Sequence, residues 1–498
     1  MHIGICSMGG GSGTAARGLV ANAMVLPYQL ETSGTSSYVR NYKKAHRVAS
    51  NANFSSVKLV FVNWASTSTT DSYATTPTVT IEASIEYNGT IYPVTFGGAS
   101  SVDIAAGAYV ESDAVAGLTL PAGALFFERV RMLGPSTGTY NYPGSQVTTD
   151  LWGEFFVAGT DTSINFATGG LGMGATGTAT VAAGSITALN LTAGGSGYTA
   201  TGYVQAYEVG ADGVLYFKNV GTAQVSGGVV TGMTLTSGTP PSGLAAWVSP
   251  SINIVYGHSL LGLTSDIRCY SSSIISGIPS VPVKSLLMMG DSIVRGNGTA
   301  LVQDVKQNQG LYEIGLDNRC GVANFGIGSA VARKLDDLTA TYPKMYGLIA
   351  DYADLFTHAL LAVGTNDINT TADTAATIKT NIEKIANHLR GLGMEVAVCP
   401  IICRTDSTDS WATLANQTPR SGFGVGERRD EVNTYIRAGT IVSDWQYPDA
   451  DAICRDATEP TKWRVDFVAT PDGAHDSQLM RGAASASYAF KLAYWGLE

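Results

Sequence analysis

The sequence predicts an all-β region followed by a three-layer α/β/α domain built on a doubly wound parallel sheet. Strand-like segments separated by Gly, Pro, Asn and Ser fill the first half, whereas apolar runs alternate with helix-length segments in the second. Charge density changes at the same point. Residues 1–280 contain 10 Lys or Arg and 14 Asp or Glu, against 20 and 26 in residues 281–498. Such a step marks a boundary between domains of different architecture.

Short strands in the first part of the chain predict a β-sandwich over residues 1–167. Three segments are rich in β-branched and aromatic residues and partly alternate between apolar and polar: 57–64, 78–87 and 124–132. Several such strands with turn signals between them are typical of a sandwich. We expect Trp64 and Trp152 in its core. Residues 249–282 are predicted to complete the sandwich and to link it to the next domain.

Residues 168–248 are nearly free of charge and contain an internal repeat. Residues 177–194 align without gaps with residues 221–238, which lie 44 positions later. Each copy predicts a hairpin, with its turn at Gly184 in the first and at residues 227–228 in the second. We therefore expect a small β insertion rich in Gly and Thr.

After residue 282 the pattern changes to alternating strands and helices. Apolar runs predict four strands, at 285–289, 322–325, 359–363 and 394–399. Helices are predicted after Ser329 and at 373–391, 428–438 and 476–495. In the second of these helices the apolar residues repeat at the spacing of one helical face: Ile378, Ile382, Ile385 and Leu389. This alternation predicts a parallel sheet, in which reactive groups collect beyond the carboxyl ends of the strands.

Composition argues against several classes of protein. The net charge of −10 disfavours nucleic acid and anionic membranes as partners, and no apolar run is long enough for a membrane-spanning helix. Six cysteines are too few for a disulfide scaffold, although one or two bridges are compatible with the sequence. Cys399 and Cys403 have no second pair or His cluster at zinc spacing, so we expect no metal site.

Four short motifs stand at strand ends or before a helix of the second half. They are Gly290-Asp291-Ser292, the segment from Asn324 to Ser329, the segment from Gly364 to Asp367, and the segment from Asp472 to His475. In this order they resemble the four blocks of the SGNH/GDSL hydrolase family over residues 283–498. The resemblance implies a flavodoxin-like α/β/α fold and an ester hydrolase that works without a metal or organic cofactor.

The chemistry assigns a catalytic role to three of these residues. A serine hydroxyl is a poor nucleophile until a base removes its proton, so Ser292 requires an imidazole within hydrogen-bond reach. His475 is the candidate base. Asp472 lies three positions earlier and can orient the imidazole and stabilise its protonated form. A surface turn and a helix N-terminus are the structural alternatives for these motifs.

The resemblance also implies an oxyanion hole. Its donors would be the main-chain N–H of Ser292, a main-chain N–H at Gly328 or Ser329, and the side chain of Asn366. The family usually has glycine where Ser329 stands, so a positive φ at this position would strain the serine. Asn366 could instead cap the helix that follows. Trp411 lies in a polar loop expected to overhang the site, where it could stack on a sugar or pack beneath the loop.

The four motifs thus predict a serine esterase that removes acyl groups, and the resemblance to SGNH enzymes joined to β-sandwich domains implies that these are O-acetyl groups on a polysaccharide or oligosaccharide. A glycan-binding or phage tail structural protein with a weak or inactive hydrolase domain is one alternative, and a short-chain lipase or thioesterase is another. Residues 1–18 lack the layout of a signal peptide. We expect an extracellular or virion-associated protein, which either leaves the cell by another route, such as release on a phage particle, or has a trimmed sequence. A homo-oligomer is compatible with the sequence. Deleting residues 1–280 is expected to spare turnover of small esters.

Overall fold

The computed structural model describes most of the chain. The described residues are 17–21, 24–27, 29–32, 39–49, 52–73, 76–88, 90–135, 140–146, 157–158, 173–196, 202–209, 215–240, 246–247, 253–258, 268–296, 304–306, 320–337, 340–445, 449–466 and 469–476. Within these ranges no helix is both long and apolar enough to cross a membrane.

Short strands make up the N-terminal region, as its composition predicts. In chain order they are β1 (Gly18–Leu19), β2 (Met24–Val25), β3 (Gln29–Thr32), β4 (Val39–Arg47), β5 (Phe54–Val62), β6 (Ala65–Ser66), β7 (Asp71–Ser72), β8 (Val79–Tyr87), β9 (Thr90–Pro93), β10 (Val102–Ile104), β11 (Tyr109–Glu111), β12 (Thr119–Leu120), β13 (Leu125–Leu133), β14 (Asn141–Gln146) and β15 (Val157–Ala158).

The repeat region follows with β16 (Met173–Ala182), β17 (Ser185–Ser196), β18 (Gly202–Val209), β19 (Leu215–Ser226), β20 (Val229–Leu235) and β21 (Asn253–His258). Two more strands, β22 (Arg268–Cys269) and β23 (Ile274–Pro279), precede the α/β domain. Each repeat copy forms an antiparallel hairpin, β16 with β17 and β19 with β20. Their turns fall at residues 183–184 and 227–228, where both central residues have positive φ, as two-residue hairpin turns require.

Two antiparallel sheets form a β-sandwich. One has the strand order β1-β23-β5-β11, with β12 also beside β5. The other has the order β10-β8-β13-β4-β15, with β9 also beside β8. Their facing side chains share one apolar core that includes Phe61, Ile85, Phe126 and Ile275. Trp64 is fully buried, as predicted, whereas Trp152 lies outside the described residues.

The remaining elements belong to the α/β domain, except for Asp304–Lys306, which pairs with β19 of the repeat region. In chain order they are β24 (Ser285–Gly290), α1 (Ser292–Arg295), β25 (Asp304–Lys306), β26 (Gly321–Gly326), α2 (Ala332–Leu335), α3 (Pro343–Asp351), a 3₁₀ turn (Ala353–Leu355), β27 (His358–Ala362), a π-helical turn (Asp367–Thr371), α4 (Ala375–Gly391), β28 (Glu395–Val398), β29 (Thr405–Ser407), β30 (Gln417–Pro419), α5 (Arg428–Arg437) and α6 (Ala450–Cys454). The predicted helix at 476–495 falls almost wholly outside the described residues.

A parallel sheet of order β2-β26-β24-β27-β28 lies at the centre of this domain. Every residue of β24, β26 and β27 is buried, as strands covered on both faces must be. The predicted apolar face of α4 is buried in the core: Ile378, Ile382, Ile385 and Leu389. The sheet and its helices therefore confirm the predicted α/β architecture. Cys320, Cys399, Cys403 and Cys454 are buried free thiols.

The start of the chain crosses the predicted boundary between the sandwich and the α/β domain. Met24 and Val25 pair in parallel with Ala323 and Asn324, so β2 is the edge strand of the central sheet. Just before it, β1 pairs with β23 of the sandwich, and Ala21 accepts a hydrogen bond from the N–H of Val322 (2.8 Å). Residues 18–21 and 24–25 thus belong to both domains through main-chain hydrogen bonds.

Side chains of the sandwich also support the α/β domain. The Oδ2 atom of Asp71 accepts hydrogen bonds from the N–H groups of Lys344 (2.6 Å) and Met345 (3.1 Å). These groups belong to the first turn of α3, where the unpaired N–H groups of a helix favour an anion. The expectation that small-ester turnover survives deletion of residues 1–280 is therefore revised. That deletion removes an edge strand and a helix cap from the α/β domain.

Candidate active site

The strand β24 delivers Ser292 to the edge of the sheet through a tight turn. A Cβ atom at Gly290 would lie 1.9 Å from the carbonyl oxygen of Ala362, so only glycine fits beside β27. The Oδ1 atom of Asp291 accepts a hydrogen bond from the N–H of Ile293 (2.9 Å) and caps α1. Ser292 is consequently the first residue of a helix, held by a buried strand on one side and a cap on the other.

A chain of hydrogen bonds joins Ser292, His475 and Asp472. The Oγ atom of Ser292 lies 2.8 Å from Nε2 of His475, although 183 positions separate the two residues. Nδ1 of the same ring lies 2.7 Å from Oδ2 of Asp472. These distances are those that a nucleophile, its base and the group that orients the base require. The structure thus brings together the three residues that the sequence singled out.

The surroundings of Asp472 keep its carboxylate ionised. Burial alone would raise the pKa of Asp472. Three hydrogen bonds outweigh the effect of burial and hold the pKa of Asp472 well below its usual range. They come from the ring of His475, from the N–H group of Ala474 (2.9 Å) and from the N–H group of His475 (2.8 Å). An ionised carboxylate on Nδ1 fixes the tautomer in which Nε2 can accept the proton of Ser292.

The loop after β26 is tied to the turn that carries Ser292. The N–H of Ile327 donates to the carbonyl oxygen of Gly290 (2.9 Å), and the side chain of Asn324 donates to the carbonyl oxygen of Val294 (2.8 Å). Ser329, and not Gly328, takes the left-handed conformation, with φ of 61°. The strain anticipated for a serine at this position is therefore present in the structure.

Several hydrogen-bond donors remain free around this turn. Among the described residues, the main-chain N–H groups of Ser292, Gly328 and Ser329 donate to no acceptor. The side chain of Asn366 donates to the carbonyl oxygen of Ala330 (3.0 Å) and makes no capping bond to the π-helical turn. The helix-cap alternative for Asn366 is therefore not what the structure shows. Its amide is held beside the loop after β26, with its second N–H available.

Two buried carboxyl groups to which the sequence analysis assigned no role support the site. Burial raises the pKa of Asp291 to about 7, although the hydrogen bond from Ile293 and the interaction with His475 both lower it. Burial likewise raises the pKa of Asp367 to about 6. Asp367 accepts a hydrogen bond from the N–H of Ala332 (2.9 Å) and so ties the Asn366 loop to α2. Both are part of the motifs, but only the tertiary structure shows how deeply they are buried.

Trp411 packs beneath the loop that carries His475. Its Nε1 donates to Oγ1 of Thr405 (2.9 Å), and a Cβ atom at Gly473 would lie 2.5 Å from its ring. The carbonyl oxygen of Gly473 accepts hydrogen bonds from the N–H of Thr405 (3.0 Å) and from Nε1 of Trp463 (3.1 Å). Of the two roles open to Trp411, packing is the one that these contacts describe.

A small open pocket lies beside the turn at Ser292. Its volume is about 10 Å³, roughly the space of one water molecule, and its walls include Asp291, Thr365 and Ile401. The main chain of Ile401 is held on both sides, because Oδ1 of Asn433 accepts from its N–H (2.7 Å) and Nε of Arg429 donates to its carbonyl oxygen (3.1 Å).

Comparison with known proteins assigns the α/β domain to a family. Residues 286–480 match the family model described as GDSL-like Lipase/Acylhydrolase. This part of the chain is accordingly a GDSL/SGNH hydrolase domain of the esterase type. No curated protein matches the chain.

Solved structures similar to this chain come from several organisms. A GDSL-like lipase from Bacteroides thetaiotaomicron is 16% identical, with 43% of this chain and 90% of that chain covered, at a TM-score of 0.29. A lipolytic protein of the G-D-S-L family from Veillonella parvula is 18% identical, with 42% and 98% covered, at a TM-score of 0.28. A carbohydrate esterase of family 3 from Talaromyces cellulolyticus is 15% identical, with 42% and 97% covered, at a TM-score of 0.25.

Proposed function

We propose that the chain is a serine esterase that removes O-acetyl groups from a polysaccharide or oligosaccharide. The observation that carries the proposal is the hydrogen-bonded chain from Ser292 through His475 to Asp472. We propose further that the sandwich positions or binds the polymer, which a small ester does not need.

In the first half of the reaction, Oγ of Ser292 attacks the ester carbonyl while its proton passes to Nε2 of His475. The negative charge that develops on the carbonyl oxygen is stabilised by the main-chain N–H of Ser292, by a main-chain N–H at Gly328 or Ser329, and by the amide of Asn366. Donors of this kind are typically worth about 3 kcal/mol each. The bond to the sugar oxygen then breaks, and His475 gives its proton to that oxygen.

In the second half, water hydrolyses the acetyl group bound to Ser292. His475 takes a proton from the water, the new tetrahedral intermediate collapses, and the proton returns to Oγ of Ser292. The products are acetate and the free sugar hydroxyl. We propose that this happens outside the cell or on a virion, where acetylated polymers are accessible.

The test is release of p-nitrophenol from p-nitrophenyl acetate and of acetate from a panel of acetylated glycans. We expect Ser292→Ala to abolish both, while Ser100→Ala, which changes an exposed serine of the sandwich, leaves both intact. Rates should fall steeply as the acyl chain lengthens. A rate that rises with chain length would identify a lipase or thioesterase. Wild-type turnover no faster than that of Ser292→Ala would identify a binding or structural protein.

A further inference from the structure

Arg404, at the edge of the candidate active site, forms no ion pair with any of the described residues. It follows β28, and the next residue, Thr405, donates its main-chain N–H to Gly473 in the His475 loop (3.0 Å). Its Nε is buried and has no hydrogen-bond partner among the described residues. Nearby arginines are paired within the described part of the chain, as Arg420 is with Asp406 (2.8 Å) and Arg437 with Asp449 (3.1 Å).

None of the carboxyl groups near Arg404 forms an ion pair with it among the described residues. Burial and the neighbouring Arg420 lower the pKa of Arg404, and the carboxyl groups of Asp472, Asp291 and Asp406 act in the opposite direction. Asp406 pairs with Arg420 instead. Asp472 is occupied by His475 and by main-chain N–H groups, and Asp291 caps α1. A half-buried guanidinium in this state is poorly solvated and gains most from a planar anion that accepts two hydrogen bonds.

The position of Arg404 separates it from the loop of Ser329, which carries one of the proposed oxyanion donors. Ser329 follows β26, which lies on one side of β24, whereas Arg404 follows β28, two strands away on the other side. A group that reaches Arg404 therefore belongs to a part of the substrate other than the ester carbonyl. In an acetylated sugar, a carboxylate on the same or an adjacent ring is a planar anion in such a part of the substrate.

We propose that Arg404 is a specificity residue that binds a carboxylate of the substrate, so that the preferred substrates are acetyl esters of acidic sugars. The proposal rests on the esterase function proposed above. Recognition is local, because charges separated by more than about 8 Å are largely screened at physiological ionic strength. The net charge of −10 over the whole chain therefore does not prevent it.

The experiment compares two substrates that differ only in the carboxylate. They are a methyl glucuronide and a methyl glucoside, each with one acetyl group at the same position, and acetate release gives kcat/KM for each. We expect wild type to favour the glucuronide about 10- to 100-fold, as a charge-assisted pair at a site allows. Arg404→Met should bring this ratio close to one, Arg404→Lys should keep part of it, and added salt should reduce it.

Arg333→Met is the control, because it removes one positive charge from a half-exposed side chain of α2 and should keep the wild-type ratio. The ratio is independent of how much enzyme is active, so partial unfolding of a variant does not obscure it. A wild-type ratio near one, or an unchanged ratio in Arg404→Met, would overturn the proposal. Equal hydrolysis of both sugars would leave the esterase function standing, whereas hydrolysis of neither sugar nor p-nitrophenyl acetate would overturn that function itself.

Discussion

Met24 pairs in parallel with Ala323, so a segment near the start of the chain forms the edge strand of the sheet that carries Ser292. The same segment is hydrogen-bonded to the sandwich through β1 and β23. The two domains are therefore joined by main-chain hydrogen bonds between strands as well as by contacts between side chains. The stabilities of the two domains should therefore be coupled.

Gly321→Ala should destabilise the whole α/β domain. A Cβ atom at this position would lie 2.2 Å from the carbonyl oxygen of Leu19, so the main chain of β1 must move, at a cost of about 1–3 kcal/mol. Gly347→Ala is the matched control, because no atom lies within 4 Å of a Cβ there and alanine favours a helix by about 0.5–1 kcal/mol. Denaturant unfolding measures both. Equal midpoints would contradict the proposed role of residues 18–21 and 24–25.

Asp472→Asn should lower kcat on p-nitrophenyl acetate by about 10³- to 10⁴-fold. The amide presents an N–H group to Nδ1 of His475, which favours the wrong tautomer of the ring. Adding Ser292→Ala to this variant should reduce the rate little further, because residues that act as a unit are not additive. A loss below tenfold in Asp472→Asn would show that the base does not depend on this carboxylate.

Asn366→Ala should lower kcat by about 10²- to 10³-fold, as the loss of one oxyanion donor does. The variant also loses the hydrogen bond to Ala330, so its unfolding midpoint is measured in parallel. A drop in kcat that merely follows a drop in the folded fraction would argue against a donor role.

Ser329→Gly should keep the wild-type rate, since the proposed donor at this position is a main-chain N–H. Glycine relieves about 1 kcal/mol of left-handed strain, and its greater freedom in the unfolded chain offsets much of this gain. The measurements are kcat and the unfolding midpoint. A large increase in rate would support the alternative of a hydrolase domain weakened by Ser329.

Asp291→Asn should change how stability depends on pH. Burial raises the pKa of Asp291 from 3.8 to about 7. Between these values the folded chain holds a proton that the unfolded chain has lost. Stability should therefore fall as pH rises through this window and stay low above it. Asparagine cannot ionise and can still cap α1. Calorimetry at pH 5 to 8 should show a shallower decline of Tm for the variant, and parallel curves would refute the assignment.

Trp411→Ala should lower kcat on p-nitrophenyl acetate and on the polymer alike, because the ring supports Gly473 in the His475 loop. Trp411→Phe keeps an aromatic ring and loses the hydrogen bond to Thr405, so its effect should be smaller. Kinetics on both substrates separate the two roles. An increase in KM confined to the polymer would show instead that Trp411 stacks on a sugar.

Local patterns predicted much of the architecture. The helical spacing from Ile378 to Leu389 placed α4, and the duplicated segment placed two hairpins with their turns, because these features depend on neighbours in the chain. The sequence also singled out Ser292, Asp472 and His475, whose catalytic roles stay predictions. It did not reveal the roles of Asp367 and Arg404, because burial and unpaired charge arise only from contacts between distant segments.

By itself, then, the sequence determined the order of the domains, the alternation of strands and helices, and the residue types from which a serine hydrolase site can be built. Only the tertiary structure decided that β2 completes the sheet, that Ser329 takes the left-handed conformation, that Trp411 packs against Gly473 and that Arg404 forms no ion pair with any of the described residues. The reason is physical. Periodicity and turn chemistry act over a few residues, whereas edge pairing, strain and desolvation depend on which remote segments meet.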